Sequence, residues 1–133
     1  MMPGSDFKAC LETPYLTEDA SAQNYVSEDL KLAGESLDLA LEKIKVPGDL
    51  TDITLLAYRS MYSAARAMVH HAGYQVSNFR CLVSTLDELF VRTKKLDKNL
   101  LDQLLAAQRL VGNSDDHLKA AQALLARTKE IIA

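Results

Sequence analysis

Arg59, Ser63, Arg66 and His70 follow one another at spacings of four, three and four residues, which on a helix places all four in one narrow stripe. A guanidinium and an imidazole one turn apart, as at Arg66 and His70, can hold a phosphate or stabilise charge that develops during phosphodiester cleavage. The competing expectation is internal. Arg59 and Arg66 would pair with acids of a preceding helix, and His70 would cap a carbonyl near Gly73. A second polar cluster comprises Arg109, Asn113, Asp115, Asp116 and His117, where Arg109 and His117 are the candidate catalytic pair: a phosphate clamp and an acid-base group. Helix-start chemistry explains the same cluster, since Ser114 can satisfy one free N–H and two acids in a first turn repel an anion.

Metal chemistry has little to work with. His70 and His71 are rotated by about 100 degrees about a helix axis, so they do not chelate one ion together. No further Cys or His cluster has ligand spacing, and no metal or cofactor is expected. The chain also lacks a phosphate-cradling glycine loop, a nucleophile elbow and an HExxH pair.

The segment that carries the first stripe, Leu55 to Tyr74, is apolar around most of its circumference and reads as a helix buried among others. Its polar stripe must then face water, a cleft or a partner. Before it, Val26, Leu30, Ala33, Leu37, Ala40 and Ile44 recur every three or four residues in a long amphipathic helix that starts near Ala22. Pro47, Gly48 and Asp49 end that helix in a turn, and Thr51 caps the next, which Gly73 closes. Tyr58, Tyr62 and Tyr74 are expected in the core or at a subunit contact.

Ser77 is the expected cap of a third helix with Cys81, Leu82, Leu86, Leu89 and Phe90 inward. Asp97 caps a fourth, with Leu100, Leu101, Leu104, Leu105, Leu110 and Val111 inward and Gly112 at its end. Ser114 caps a fifth, whose stripe is Leu118, Ala121, Leu125, Thr128 and Ile132. With no alternating β pattern anywhere, the expected fold is all-α: an antiparallel up-and-down bundle of four to five helices over residues 21–133. Residues 1–20, with Pro3, Gly4 and Pro14, read as a loosely ordered leader with at most a helical turn near Leu16.

The chain of 133 residues carries a formal charge of -3, which argues against a general nucleic-acid coat protein. The charge is uneven: residues 1–49 hold ten acids and four bases, whereas residues 50–133 hold eight acids and eleven bases. An anionic ligand would sit on the later helices, unless the difference merely reflects solvated faces. Cys10 and Cys81 do not look like a disulfide framework. The start lacks a basic region followed by an apolar stretch, and no run approaches the roughly 18 apolar residues of a spanning helix. The expectation is a cytoplasmic protein with no membrane contact.

The run LLAYRSMYSAARAMVHHAGYQVSNFRCLVSTLDELF, preceded by SEDLKLAGESLDLAL, resembles the HEPN superfamily of small prokaryotic helical proteins over about residues 22–132. Ala57, Tyr58, Met61, Tyr62, Ala64, Ala65, Ala67 and Met68 occupy places that match the family's second helix, and Gly73 with Tyr74 follows at the matching distance. The resemblance implies a four- or five-helix bundle, often a homodimer. It also implies either a ribonuclease toxin or a partner of a small nucleotidyltransferase, with an antitoxin as the other expected partner. The family's ribonucleases carry an Arg, four to six residues, then a His near the start of a late helix. Arg109 and His117 stand in the matching place but are separated by seven residues, while Arg66 and His71 have four between them within the second helix. This degenerate motif makes a non-catalytic interaction or nucleotide-binding module the leading expectation, with Arg59, Ser63, Arg66 and His70 as its ligand-binding residues. A metal-independent endoribonuclease acting on RNA is the alternative.

Overall fold

Alanine decides how closely the helices approach. In a computed structural model, which describes residues 5–45 and 50–133, Ala57, Ala64, Ala65 and Ala67 of the central helix α3 (Leu50–His71) are fully buried together with Met61 and Met68. Against it lies α2 (Val26–Lys43), whose Ala33 and Ala40 are likewise buried. The two backbones are near enough for the Ser60 hydroxyl to donate to the Ala33 carbonyl at 2.8 Å. On the other side α3 packs on α6 (Ser114–Ile132), through Ala121, Leu124 and Leu125. Thr128, also buried, satisfies its hydroxyl within α6 by donating to the Leu124 carbonyl.

The remaining helices complete the bundle: α1 (Ser5–Leu11), α4 (Phe79–Leu86) and α5 (Lys98–Gln108). The fold is an all-α bundle, with six helices among the described residues. One π-helical turn, Asp87–Val91, continues α4, its Arg92 N–H reaching back five residues to the Asp87 carbonyl. The Pro47, Gly48 and Asp49 turn, like Pro3 and Gly4, lies outside the described residues.

Residues 5–18 depart from the loosely ordered leader expected of them. They form α1 and a strand β1 (Leu16–Glu18), which pairs antiparallel with β2 (Tyr74–Val76) in the register Leu16 to Val76. Leu16 is a fully buried strand residue and not part of a helical turn. A 3₁₀ turn over Ala20–Tyr25 then leads into α2, capped by the Asp19 carboxylate, which accepts from the Ser21 N–H and hydroxyl. Those bonds hold the Asp19 carboxyl below its ordinary range.

Cys10 and Cys81, which do not look like a disulfide framework in the sequence, are joined: Cys10 of α1 and Cys81 of α4 form a disulfide. A separation of 71 residues hid the pairing, because the contact depends on where the tertiary fold returns the leader.

Several helix ends sit one residue from their expected places. Asn78, not Ser77, caps α4 by accepting from the Cys81 N–H, and Asn113, not Ser114, caps α6 by accepting from the Asp116 N–H. Thr51 lies inside α3. Asp97 does cap α5, and Gly73, at φ 91, does end α3. Helix α5 stops at Gln108 because Leu110 takes a left-handed conformation, φ 57, so Leu110 and Val111 point outward, 52% and 58% exposed, instead of inward.

Candidate functional site

Arg59, Ser63 and Arg66 lie on the same side of α3, outside its seams with α2 and α6. Arg59 is exposed, and Ser63 and Arg66 are half-buried. Seven residues of helix separate the two arginines by about 10 Å along the axis. Neither has an acidic partner within ion-pair distance among the described residues, so the expected pairing with acids of the preceding helix is not formed. The Arg66 guanidinium carbon lies 5.9 Å from the centre of the Tyr62 ring, a cation–π contact, and its Nε is buried with no hydrogen-bond acceptor.

Tyr62 belongs to an aromatic row. Its ring centre is 5.9 Å from that of Tyr58, which in turn is 6.1 Å from Phe79 of α4. Burial, and secondarily the neighbouring Tyr62 hydroxyl, pushes the Tyr58 phenol above its ordinary range. The tyrosines therefore pack as expected, with Tyr74 meeting Phe7 edge to face at 5.8 Å.

The fourth member of the stripe is elsewhere. His70 is 1% exposed, and its Nδ1–H donates to the Asp29 carboxylate of α2 at 2.5 Å. The Tyr25 ring covers it, with centres 5.6 Å apart, and Nε2 has no partner. His70 thus neither joins Arg59, Ser63 and Arg66 on the surface nor caps a carbonyl with its side chain. Its own backbone carbonyl accepts from the Gly73 N–H at 3.0 Å. Asp29 is the residue that sequence reading missed. Its signal was its register, since it shares the α3-facing side of α2 with Ala33 and Ala40.

Arg109 and His117 serve different ends of one turn. Arg109 is the exposed C-terminal cap of α5. His117 is 1% exposed, and its Nε2–H donates to the Val111 carbonyl at 2.6 Å, which leaves the buried Nδ1 with no partner. Gly112, at φ 93, passes over the ring, where an added Cβ would come within 3.3 Å of His117 Cε1 and Nε2. The imidazole ties the turn between α5 and α6 to the body of the bundle. Asn113 is occupied as a cap, while Asp115 and Asp116 are exposed in the first turn of α6.

Cavities open beside the second cluster and elsewhere on the bundle. One of about 470 Å³ lies between the start of α3 at Leu50 and Thr54 and the α5–α6 turn at Gly112 and Asn113. Another, of about 440 Å³, lies between α1, the α4 and π-helical segment, and α5. Among the described residues no group of His, Cys, Asp and Glu has the arrangement of a metal site, and no helix is long and apolar enough to cross a membrane.

No family model matches this chain, and neither a curated protein nor a solved structure matches it.

Proposed function

We propose that the chain is a non-catalytic, HEPN-like interaction module that binds a phosphate-bearing ligand, a nucleotide or an RNA backbone, on the α3 face formed by Arg59, Ser63 and Arg66. In this reading it works in the cytoplasm as a homodimer, alongside an antitoxin or nucleotidyltransferase partner. The observation that carries the binding part is Arg66: a buried Nε–H with no acceptor, on a side chain with no acidic partner among the described residues. A buried donor left unsatisfied is rare and costs about 1–3 kcal/mol. Were the side chain to turn outward, a phosphate oxygen would accept from that N–H and neutralise the guanidinium at once. Arg59 and the Ser63 hydroxyl supply further donors on the same side.

The non-catalytic part rests on His70 and His117, the two histidines offered as acid-base groups. Acid-base cleavage of RNA needs an imidazole within hydrogen-bond reach of the scissile oxygens, and His70 and His117 are both enclosed and already bonded.

Titration of a fluorescent oligoribonucleotide and of a nucleoside triphosphate tests the reading. Affinity should fall at least tenfold in the double variant Arg59→Ala, Arg66→Ala and weaken with added salt. Equal affinity in the variant, or no binding at millimolar ligand, would remove the site. Metal-free RNA cleavage that disappears in His117→Ala would replace the module with a ribonuclease. Sedimentation of a monomer at micromolar concentration would remove the homodimer.

A further inference from the structure

We propose that α1 is a redox-released strap: reduction of the Cys10–Cys81 disulfide lets α1 lift from α4 while β1 stays in place, opening the cavity that α1 walls. The inference is independent of the ligand-binding reading, since it uses neither Arg59, Ser63 nor Arg66.

The two halves of the segment before α2 are held by different means. From Leu16 onward the chain is anchored by its own packing. Leu16 and Ala22 are fully buried, β1 pairs with β2, and the pairing is extended by Ser77 N–H to the Tyr15 carbonyl at 2.9 Å and Asp19 N–H to the Gly73 carbonyl at 2.7 Å. Helix α1 is held more lightly: Cys10 is its one residue in the buried core, and Phe7 is half-buried against that core. It has seven residues, well below the roughly 12–15 at which an isolated helix becomes even marginally stable in water. Its noncovalent attachments include the Phe7–Tyr74 edge contact and an ion pair between Asp6 and Arg80 at 3.4 Å, whose side chains are largely exposed. Exposed pairs of this kind contribute little. The one covalent tether is the bond to Cys81, and Glu12, Thr13, Pro14 and Tyr15 connect α1 to β1.

Lifting α1 has a defined consequence. Asp6 and Phe7 form one wall of the cavity of about 440 Å³, and Val83, Asp87, Leu101 and Leu105 lie among the residues of the other walls. With α1 gone the apolar side chains of α4 and α5 open to solvent. The reductant is a dithiol. Its thiolate attacks one sulfur of the bridge, the second sulfur leaves as a thiolate and takes up a proton, and the dithiol's other thiol resolves the mixed disulfide. Two electrons and two protons pass to the protein, leaving Cys10 and Cys81 as thiols and the reagent as a disulfide.

Hydrogen exchange on the full chain, before and after dithiothreitol, reads the strap directly. The expected result is at least tenfold faster exchange confined to residues 5–11, with β1, α3 and α6 unchanged, increased binding of an apolar fluorescent dye, and recovery of α1 protection on reoxidation with glutathione disulfide. The variant Cys10→Ser should reproduce the reduced pattern without reductant. Undiminished protection of α1 in the reduced protein would overturn the proposal, because packing alone would then hold the helix. Accelerated exchange throughout the molecule, or failure of Cys10→Ser to fold, would overturn it equally by making the bridge a staple of the whole fold. So would two titratable thiols in the air-equilibrated protein.

Discussion

Two regions of this bundle solve one local problem with different chemistry. In each, a histidine that is 1% exposed lies within a few residues of a glycine with positive φ, His70 before Gly73 and His117 after Gly112. His70 is bonded to a carboxylate from another helix, whereas His117 is bonded to a backbone carbonyl of its own turn. The first arrangement joins α2 to α3 across a separation of 41 residues, and the second closes a separation of only six. The difference teaches that a polar residue at helical spacing does not announce its role. What decides it is whether the acceptor that meets it can carry charge and how far along the chain it comes from.

Breaking the long-range pair should have the larger effect. Replacing His70 with Ala removes the donor, leaves the Asp29 carboxylate buried without its partner, and opens a hole beneath Tyr25. Loss of one member of a buried pair costs about 3–5 kcal/mol, so urea unfolding of His70→Ala should show a midpoint far below that of the parent. If Asp29→Asn, which keeps an acceptor oxygen, restored most of the stability in the His70→Gln background, hydrogen bonding and not charge would be the content of the contact. A loss under 1 kcal/mol in His70→Ala would erase the distinction between the two sites.

The turn around His117 should be cheaper to break. Val111 is exposed, so water can replace the imidazole at its carbonyl, and the loss in His117→Ala is about 2 kcal/mol for the hydrogen bond and packing together. The accompanying change should be local, with faster hydrogen exchange in residues 109–116 and little at α2. Nitrogen-15 spectra of the imidazoles sharpen the same contrast. His117 should carry its proton on Nε2, toward the Val111 carbonyl, and His70 should carry one on Nδ1, toward Asp29.

How far these arrangements could be read in advance follows from the range of each interaction. The long periodic runs gave α2, α3 and α6, since apolar spacing of three and four residues reports directly on which face is buried. Gly73 and Asp97 were legible because their preferences are strong and no neighbour competes. At Ser77–Asn78 and Asn113–Ser114 two residues able to cap stand side by side, and the sequence does not say which backbone turns first. Residues 5–18 were illegible for another reason. A seven-residue helix and a three-residue strand have little intrinsic preference, and their order comes from Cys81 and Val76, which lie 60 residues or more farther along the chain. The stripe on α3 was visible as spacing, but its division was not. Arg59, Ser63 and Arg66 stay outside while Asp29 and Tyr25 enclose His70, and that depends on how α2 is rotated against α3.

The smallest effect is the most discriminating, because the two glycines provide an internal control. Gly73 and Gly112 have nearly the same backbone, φ 91 and 93, so alanine at either suffers the same left-handed strain, about 1–2 kcal/mol. Their surroundings differ. A Cβ at Gly73 meets nothing within 4 Å, while one at Gly112 comes within 3.3 Å of two atoms of the His117 ring. Gly112→Ala should therefore be less stable than Gly73→Ala by up to about 1 kcal/mol, the cost of shifting an imidazole whose Nε2 is fixed by the Val111 carbonyl. In the His117→Ala background that excess should vanish, since the crowding partner is gone and only the backbone strain remains. An excess that survived removal of the ring would mean that Gly112 is required by the turn itself, and that His117 follows the loop instead of holding it.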